Sequence, residues 1–149
     1  MELNNINSLV ELFFEKYKEK KESIHQPFLK WLKNNDDNFL TWDQVRNNIY
    51  FFSNYLSKCL SKGDRCVLLS ENRPEWLISD LAIMNAGGVT VPLFTTYSEN
   101  DYEYIIKDCE PKACIVSNIE QLKKIKNYIG ENTITVSYTH LTLPTKRIV

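Results

Sequence analysis

Glycine is scarce in this chain of 149 residues, which contains four glycines and five prolines. No G-x-G-x-x-G segment follows a predicted strand, and no G-x-x-x-x-G-K-[ST] segment is present. These are two common backbone loops for binding nucleotide phosphates. The G-x-S-x-G turn that presents a nucleophilic serine in many hydrolases is also missing. The sequence therefore lacks these phosphate-binding and hydrolase motifs.

Excess charge and long apolar runs are missing as well. The 18 Lys and Arg residues nearly balance the 19 Asp and Glu residues, which gives a net charge of −1. Because no basic excess is available to hold a phosphate backbone, nucleic acid is not an expected partner. No window approaches the roughly 18 apolar residues of a membrane-spanning helix, and residues 1–5 do not resemble the start of a signal peptide. We therefore expect a cytoplasmic protein without a transmembrane segment.

Metal-binding and catalytic clusters are not evident either. The two histidines, His25 and His140, do not accompany any C-x-x-C pair, so neither a zinc site nor a Ser-His-Asp set is expected. The paired carboxylates at 36–37 and at 108 and 110 are interpreted as solvated turn residues. The four cysteines are interpreted as small buried hydrophobic residues: Cys59, Cys66, Cys109 and Cys114.

The first sixty residues predict two helices around a hairpin. Apolar residues at helical spacing predict a helix from Ser8 to about Ser23. Its many charges indicate a solvated face, with a membrane-surface role as the less favoured alternative. Two short strands are expected around the Asn/Asp-rich turn at 34–38. Thr41 and Gln44 form a capping-box pattern at the start of a helix that runs to about Leu60.

From Cys66 onward, short apolar runs alternate with helical segments. Strands are predicted at 66–70, 89–93 and 112–116, with Pro92 near a strand end because it lacks an N–H donor. Helices are predicted from Pro74 to Gly87, from Ser98 to about Cys109, and from Asn118 to residue 128 or 129, with Gly130 as a C-terminal stop. The predicted fold class is α/β, an N-terminal helix and short hairpin followed by a doubly wound parallel β-α-β-α-β-α unit.

One loop is a candidate for binding a ligand. Residues 94–98 follow the carboxyl end of a predicted strand, and doubly wound sheets bind ligands at that edge. The favoured alternative is a plain connection in which Ser98 caps the next helix.

Several segments together resemble the AMP-forming acyl-CoA synthetases. The resemblance is carried, in order, by residues 40–45, 63–76, 84–93, 98–108 (with Tyr104 and Ile105) and 112–116. The Asn-Arg-Pro-Glu-Trp form at 72–76 looks most like the long-chain fatty acid branch. On this resemblance, the chain is the N-terminal fragment of such an enzyme, an incomplete piece of a larger adenylate-forming domain.

The resemblance implies a two-step reaction in the parent enzyme. A fatty carboxylate attacks the α-phosphate of ATP, with Mg²⁺, to give acyl-AMP and pyrophosphate; coenzyme A then displaces AMP to form the thioester. The rest of the parent chain would be the missing packing partner of this fragment. The family's Ser/Thr/Gly-rich phosphate loop, its adenine- and ribose-binding segments and its C-terminal lysine have no match here. The fragment is therefore expected to be inactive and to bind no cofactor.

No catalytic, cofactor-binding or metal-binding residue is carried over from the family. Six positions match it as fold-forming residues only: Thr41, Gly63, Asp64, Arg65, Gly87 and Pro92. The alternative function is a stand-alone Rossmann-like binding or interaction domain without catalysis. A small nucleotide-dependent regulator is disfavoured because the phosphate loop is missing.

The last residues differ in character from those before them. The upstream chain is rich in Asn, Lys and Ile, as in a low-GC bacterial genome, whereas 137–149 resembles translated sequencing-adapter DNA. The expected organisation is 1–135 as the N-terminal portion of an AMP-dependent synthetase domain and 136–149 as a non-native tail. The alternative for the tail is a genuine strand in which Leu141 and Leu143 alternate.

Overall fold

The structure is a computed structural model that describes residues 6–138 of the chain. Its elements, in chain order, are α1 (Leu9–Lys20), a short 3-10 turn (Lys21–Ser23), β1 (Pro27–Lys33), β2 (Asp36–Thr41), α2 (Trp42–Leu56), β3 (Arg65–Leu69), α3 (Pro74–Asn85), β4 (Val89–Leu93), α4 (Glu99–Cys109), β5 (Ala113–Val116), α5 (Ile119–Ile125) and β6 (Ile134–Ser137).

The predicted doubly wound parallel sheet is confirmed. Its strand order is β4-β3-β5-β6, and all neighbouring strands are parallel. Buried residues of α2 and α3 pack on one face, and those of α4 and α5 pack on the other. The two central strands are apolar without alternation because both of their faces are covered.

The strand β6 was not predicted. It pairs with β5, and Ile134 donates its N–H to the carbonyl of Lys112. The predicted boundary at residue 135 falls inside this strand, and Val136 and Tyr138 are buried. Leu141 and Leu143 lie outside the described residues, as does His140. The adapter origin of the tail stays a prediction, because packing does not identify the source of a codon.

The N-terminal helix and hairpin form a third packed cluster with α2 and α3. The strands β1 and β2 pair antiparallel around Asn34 and Asn35, whose φ angles are 55° and 65°. Asparagine tolerates this left-handed conformation better than most residues. The turn therefore comprises residues 34–35 and is shorter than the predicted turn at 34–38. Asp36 and Asp37 are exposed residues of β2 rather than turn residues.

The predicted helix starts are confirmed. Thr41 and Gln44 form the capping box of α2, with the Thr41 side chain accepting from the Gln44 N–H. Ser98 accepts from the Asp101 N–H at the start of α4, and Asn118 caps α5 in the same way. Pro74 lies in the first turn of α3, where its missing N–H is not needed.

Three predicted helix ends are wrong. The helix α1 ends at Lys20 instead of about Ser23, and a 3-10 turn covers Lys21–Ser23. The helix α2 ends at Leu56 instead of Leu60, and α5 ends at Ile125 instead of residue 128 or 129. In both places the chain continues in tighter turns, as in the bonds from the Lys58 N–H to the Tyr55 carbonyl and from the Tyr128 N–H to the Ile125 carbonyl. Gly130 is consequently not a helix stop.

The six fold-forming positions do make structural contacts. Gly63 and Gly87 adopt φ angles of 85° and 87° and are joined by a 2.8 Å bond from the Gly63 N–H to the Gly87 carbonyl. The Asp64 carboxylate accepts the Ser61 N–H at 2.8 Å. The Arg65 Nε donates to the Cys109 carbonyl at 2.7 Å, which satisfies the end of α4.

Pro92 lies near the end of β4, as predicted, and within residues 6–138 this strand pairs only with β3. The Val89 N–H points towards β3, where it donates to the Asp64 carbonyl. Since successive N–H positions alternate along a strand, the position of Pro92 faces the open edge. Its missing donor therefore costs no bond within the sheet.

Candidate functional site

The carboxyl ends of three parallel strands meet at one edge of the sheet. Leu69 at the end of β3 is in register with Leu93 of β4 and with Val116 of β5. The connections at 70–73, 94–98 and 117–118 follow these strands. The candidate loop at 94–98 therefore lies at the edge where the sequence placed it.

A cleft of about 310 Å³ opens at this edge between the ends of β3 and β4. Its walls are mainly apolar, and Phe94 is 68% exposed. The residues that line it are Ser70, Asn72, Trp76, Pro92, Leu93 and Phe94. Such a cleft suits a largely apolar group that carries a few hydrogen-bonding atoms.

A second cavity of about 390 Å³ adjoins the first along α3. Asn72 and Trp76 line both spaces. On its far side, this cavity is lined by Leu29 and Trp31 of the hairpin. The half-buried indole of Trp76 therefore separates an opening at the sheet edge from an opening at the hairpin.

The candidate loop is anchored at several points. Tyr102 Oη donates to the Phe94 carbonyl at 2.8 Å, and Lys124 Nζ donates to the Thr95 carbonyl at 2.7 Å. The helix-capping part of the plain-connection alternative is confirmed, because Ser98 caps α4. The same loop also contributes Phe94 to the cleft, so capping and cleft formation coexist in one segment.

Beside the cleft, the edge between β3 and β5 carries a negative charge. Glu71 accepts a 2.8 Å hydrogen bond from Gln121 Nε2. Burial raises the pKa of Glu71, but hydrogen bonds from the Ser117 hydroxyl, its own backbone and Gln121 outweigh that effect, so the pKa is lowered. The strand order changes sense between β3 and β5, because the chain adds β4 on one side of β3 and β5 on the other. Doubly wound folds bind ligands at such a point. The Arg73 guanidinium also lowers the pKa of this carboxylate.

The thiol and carboxylate groups in the described part of the chain are the other candidates for reactive groups. Among residues 6–138, no three His, Cys, Asp or Glu side chains are grouped so as to hold a metal ion. Cys66 and Cys114 are buried and Cys59 and Cys109 partly so, as the sequence suggested. Burial raises the pKa of the Cys114 thiol to about 12 and that of Cys66 further. These two thiols are therefore packing groups rather than nucleophiles.

The sequence identified the loop but missed the opposite wall of the cleft. The sequence places Ser70 at the end of the predicted strand 66–70, and Asn72 and Trp76 where the following helix opens. A signal was available, because they also follow the carboxyl end of a parallel strand. What the sequence did not reveal is that β4 lies beside β3.

A family model described as AMP-binding enzyme matches residues 14–147. Fatty acyl-CoA synthetase A of Dictyostelium discoideum is 42% identical over 65 residues, which cover 42% of this chain and 10% of that protein. Long-chain-fatty-acid–CoA ligase ACSBG1 of Rattus norvegicus is 28% identical over 90 residues, 56% of this chain and 12% of that one. The matched segments thus span about a tenth of these relatives.

Solved structures share the fold at low identity. NpsA of Klebsiella oxytoca in complex with 3-hydroxyanthranilyl-AMSN superposes with a TM-score of 0.73 at 19% identity, covering 95% of this chain and 27% of that chain. The fatty acid AMP ligase from Legionella pneumophila gives 0.71 at 14% identity, covering 93% and 24%. In each case the likeness extends over nearly all of this chain and about a quarter of the other.

Proposed function

We propose that this chain, which belongs to the AMP-binding enzyme family, is the N-terminal part of a ligase that joins a fatty acid to coenzyme A. The parent enzyme would activate the fatty carboxylate with ATP to form acyl-AMP and then transfer the acyl group to the coenzyme A thiol. The names of the curated relatives, a fatty acyl-CoA synthetase and a long-chain-fatty-acid–CoA ligase, support this substrate class.

The observation that carries the proposal is the composition of the cleft. Residues 63–76 and 84–93 are two of the segments that resemble the family. They are separate in sequence, yet together they supply Ser70, Asn72, Trp76, Pro92 and Leu93 to one opening at the carboxyl edge of the sheet. We infer that this cleft is part of the ligand-binding region of the parent enzyme.

The chain alone is proposed to be inactive. Forming acyl-AMP builds negative charge on phosphate, so the enzyme needs cationic and backbone donors around it. The phosphate loop, the adenine- and ribose-binding segments and the C-terminal lysine of the family have no match in the sequence. The edge where β3 meets β5 carries the Glu71 carboxylate instead. No three His, Cys, Asp or Glu side chains within the described residues are grouped to hold a metal ion, so Mg²⁺ would enter with ATP in the parent.

The organisation and setting of the parent are proposals as well. Residues 1–135 would be native sequence and 136–149 an adapter-derived tail, with the remainder of the parent covering the exposed parts of the sheet. No helix within residues 6–138 has the length and apolar character needed to cross a membrane. A cytoplasmic location, peripheral at the inner membrane of a low-GC bacterium, completes the proposal.

The deciding experiment is to sequence the source DNA across and beyond codon 130. If the frame continues into a Ser/Thr/Gly-rich phosphate loop, the extended chain should release pyrophosphate from ATP only when a fatty acid is present. It should then form a thioester when coenzyme A is added. The 149-residue chain is the matched control and should do neither.

A stop codon directly after the printed tail would contradict the ligase proposal. A stand-alone binding domain without catalysis would then be the better account. The burial of both faces of β3 and β5 within this chain favours that alternative, because it gives the sheet a core of its own. Saturable ATP binding by the 149-residue chain would instead support a nucleotide-dependent regulator.

A further inference from the structure

The loop that follows β4 is held from two sides by side chains of different helices. Tyr102 of α4 donates from Oη to the Phe94 carbonyl at 2.8 Å. Lys124 of α5 donates from Nζ to the Thr95 carbonyl at 2.7 Å, across 29 positions of sequence. The second contact is long-range, so the loop conformation does not depend on local turn geometry alone.

The Phe94 carbonyl is the centre of this arrangement. Besides the Tyr102 hydroxyl, it accepts the Tyr97 N–H at 3.3 Å, which closes the turn. Tyr102 is 1% exposed, and its ring lies 6.1 Å from that of Tyr97. Burial raises the pKa of Tyr102, so its hydroxyl keeps the proton that it donates. One buried hydroxyl thus fixes the turn that carries the exposed ring of Phe94.

We propose that Tyr102, assisted by Lys124, is a positioning residue that holds the turn at 94–97 so that Phe94 forms a preformed part of the cleft wall. The assignment rests on the proposed function, in which the cleft belongs to the ligand-binding region. A wall that is already ordered spares a ligand the cost of ordering it on binding. Tyr102 itself is buried behind the loop and acts through Phe94.

The test is the amide exchange of Tyr97, measured by NMR in the 149-residue chain. Tyr102→Phe should speed this exchange about fivefold, the factor that follows from losing one ordinary hydrogen bond. Ser117 is the internal reference, because its N–H donates to the Leu69 carbonyl in the sheet. Its exchange should change much less. Tyr104→Phe, which alters a 72% exposed ring on the same helix, is the matched control and should change neither amide.

Two further comparisons separate positioning from general stability. Ile106→Val removes a methyl group from the buried side of α4 but leaves the Tyr102 hydroxyl in place. It should therefore not speed the amide exchange of Tyr97 more than that of Ser117. Lys124→Met should accelerate Tyr97 about twofold, since an exposed donor contributes at the low end for a hydrogen bond. Lys123→Met should have no effect, because Lys123 pairs with Glu120 instead.

The proposal is overturned if Tyr102→Phe leaves Tyr97 exchange unchanged, or if it speeds Tyr97 and Ser117 equally. The surface variant Lys124→Met gives an independent result should Tyr102→Phe unfold the chain. Exchange in the loop does not depend on catalysis. A parent without ligase activity would therefore refute the proposed function and leave the positioning result standing.

Discussion

At the scale of single residues, two glycines form the joint between the β3 and β4 segments. Gly63 and Gly87 have φ angles of 85° and 87°, in the left-handed region that residues with a side chain rarely adopt. The hydrogen bond between them links the turn before β3 to the turn before β4. The first pair of residues in β3 and β4 is Arg65 and Val89, each two residues after its glycine. The joint therefore sets the register of the two strands.

Gly87→Ala should lower the free energy of unfolding by about 1–2 kcal/mol, the cost of placing a Cβ in the left-handed region. A Cβ at this position would meet Lys62 Cα at 3.6 Å, which is ordinary contact, so backbone strain is the main cause. Urea denaturation measures the loss. Gly130→Ala is the matched control, since Gly130 has no positive φ, and it should change stability little. Equal losses in the two variants would contradict this account.

The Glu71 carboxylate should make stability depend on pH. Because its folded pKa is lowered, Glu71 contributes stability that is present above its ordinary pKa of 4.5 and is lost as pH falls through the lowered folded value. The Glu71→Gln variant should therefore be less stable than the unsubstituted 149-residue chain at pH 7. This difference in stability should shrink below about pH 4.5. Denaturation curves at pH 7 and pH 3.5 test this.

At the scale of helices and strands, starts are set locally and ends are not. At each start, a side-chain oxygen accepts a hydrogen bond from the backbone N–H three residues later; the accepting residues are Thr41, Ser98 and Asn118. Helix ends depend instead on what the following residues pack against. Leu60 follows the end of α2 and is buried under the sheet with Phe52 and Leu56. Residues 52, 56 and 60 thus keep the apolar spacing of a helix, although residues 57–60 are not α-helical. This spacing led to the prediction that the helix runs to Leu60.

Thr41→Ala should destabilise the protein by about 1 kcal/mol, because it removes the side-chain half of the capping box on α2. Thermal unfolding followed by circular dichroism at 222 nm measures the effect. Thr96→Ala makes the same chemical change in an exposed loop and should be neutral. Cap residues act on the first turn, so a loss no larger than that of Thr96→Ala would show that α2 does not rely on its cap.

At the scale of the whole molecule, the exposed apolar residues predict self-association. Leu32, Phe94 and Tyr104 are 73%, 68% and 72% exposed, and β4 leaves one side of its backbone unpaired within the described residues. Apolar surface and open strand edges both favour association.

Light scattering coupled to size exclusion should show the mean mass of the chain rising with concentration. A variant with Leu32→Gln, Phe94→Gln and Tyr104→Gln should shift this rise to higher concentration, whereas three substitutions of exposed lysines to glutamine should not. A sharp, monomeric unfolding transition that does not vary with concentration would count against the prediction.

The candidate site was predictable only in part. The loop at 94–98 was identified because strand ends and helix caps leave a local signature in sequence. The wall formed by Ser70, Asn72 and Trp76 was not, because it exists only when β4 lies beside β3. Likewise, β6 (Ile134–Ser137) was missed because the expected boundary at residue 135 divides it and the residues after that boundary were interpreted as a non-native tail.

The sequence by itself determined the fold class, the helix starts, the buried strands β3 and β5 and the family. These depend on apolar spacing, caps and motifs, all of which act over a few residues. Only the tertiary structure decided the strand order, the helix ends, the cleft and the anchoring of its loop by Tyr102 and Lys124. Those features depend on contacts between residues distant in sequence, whose energies no local pattern records.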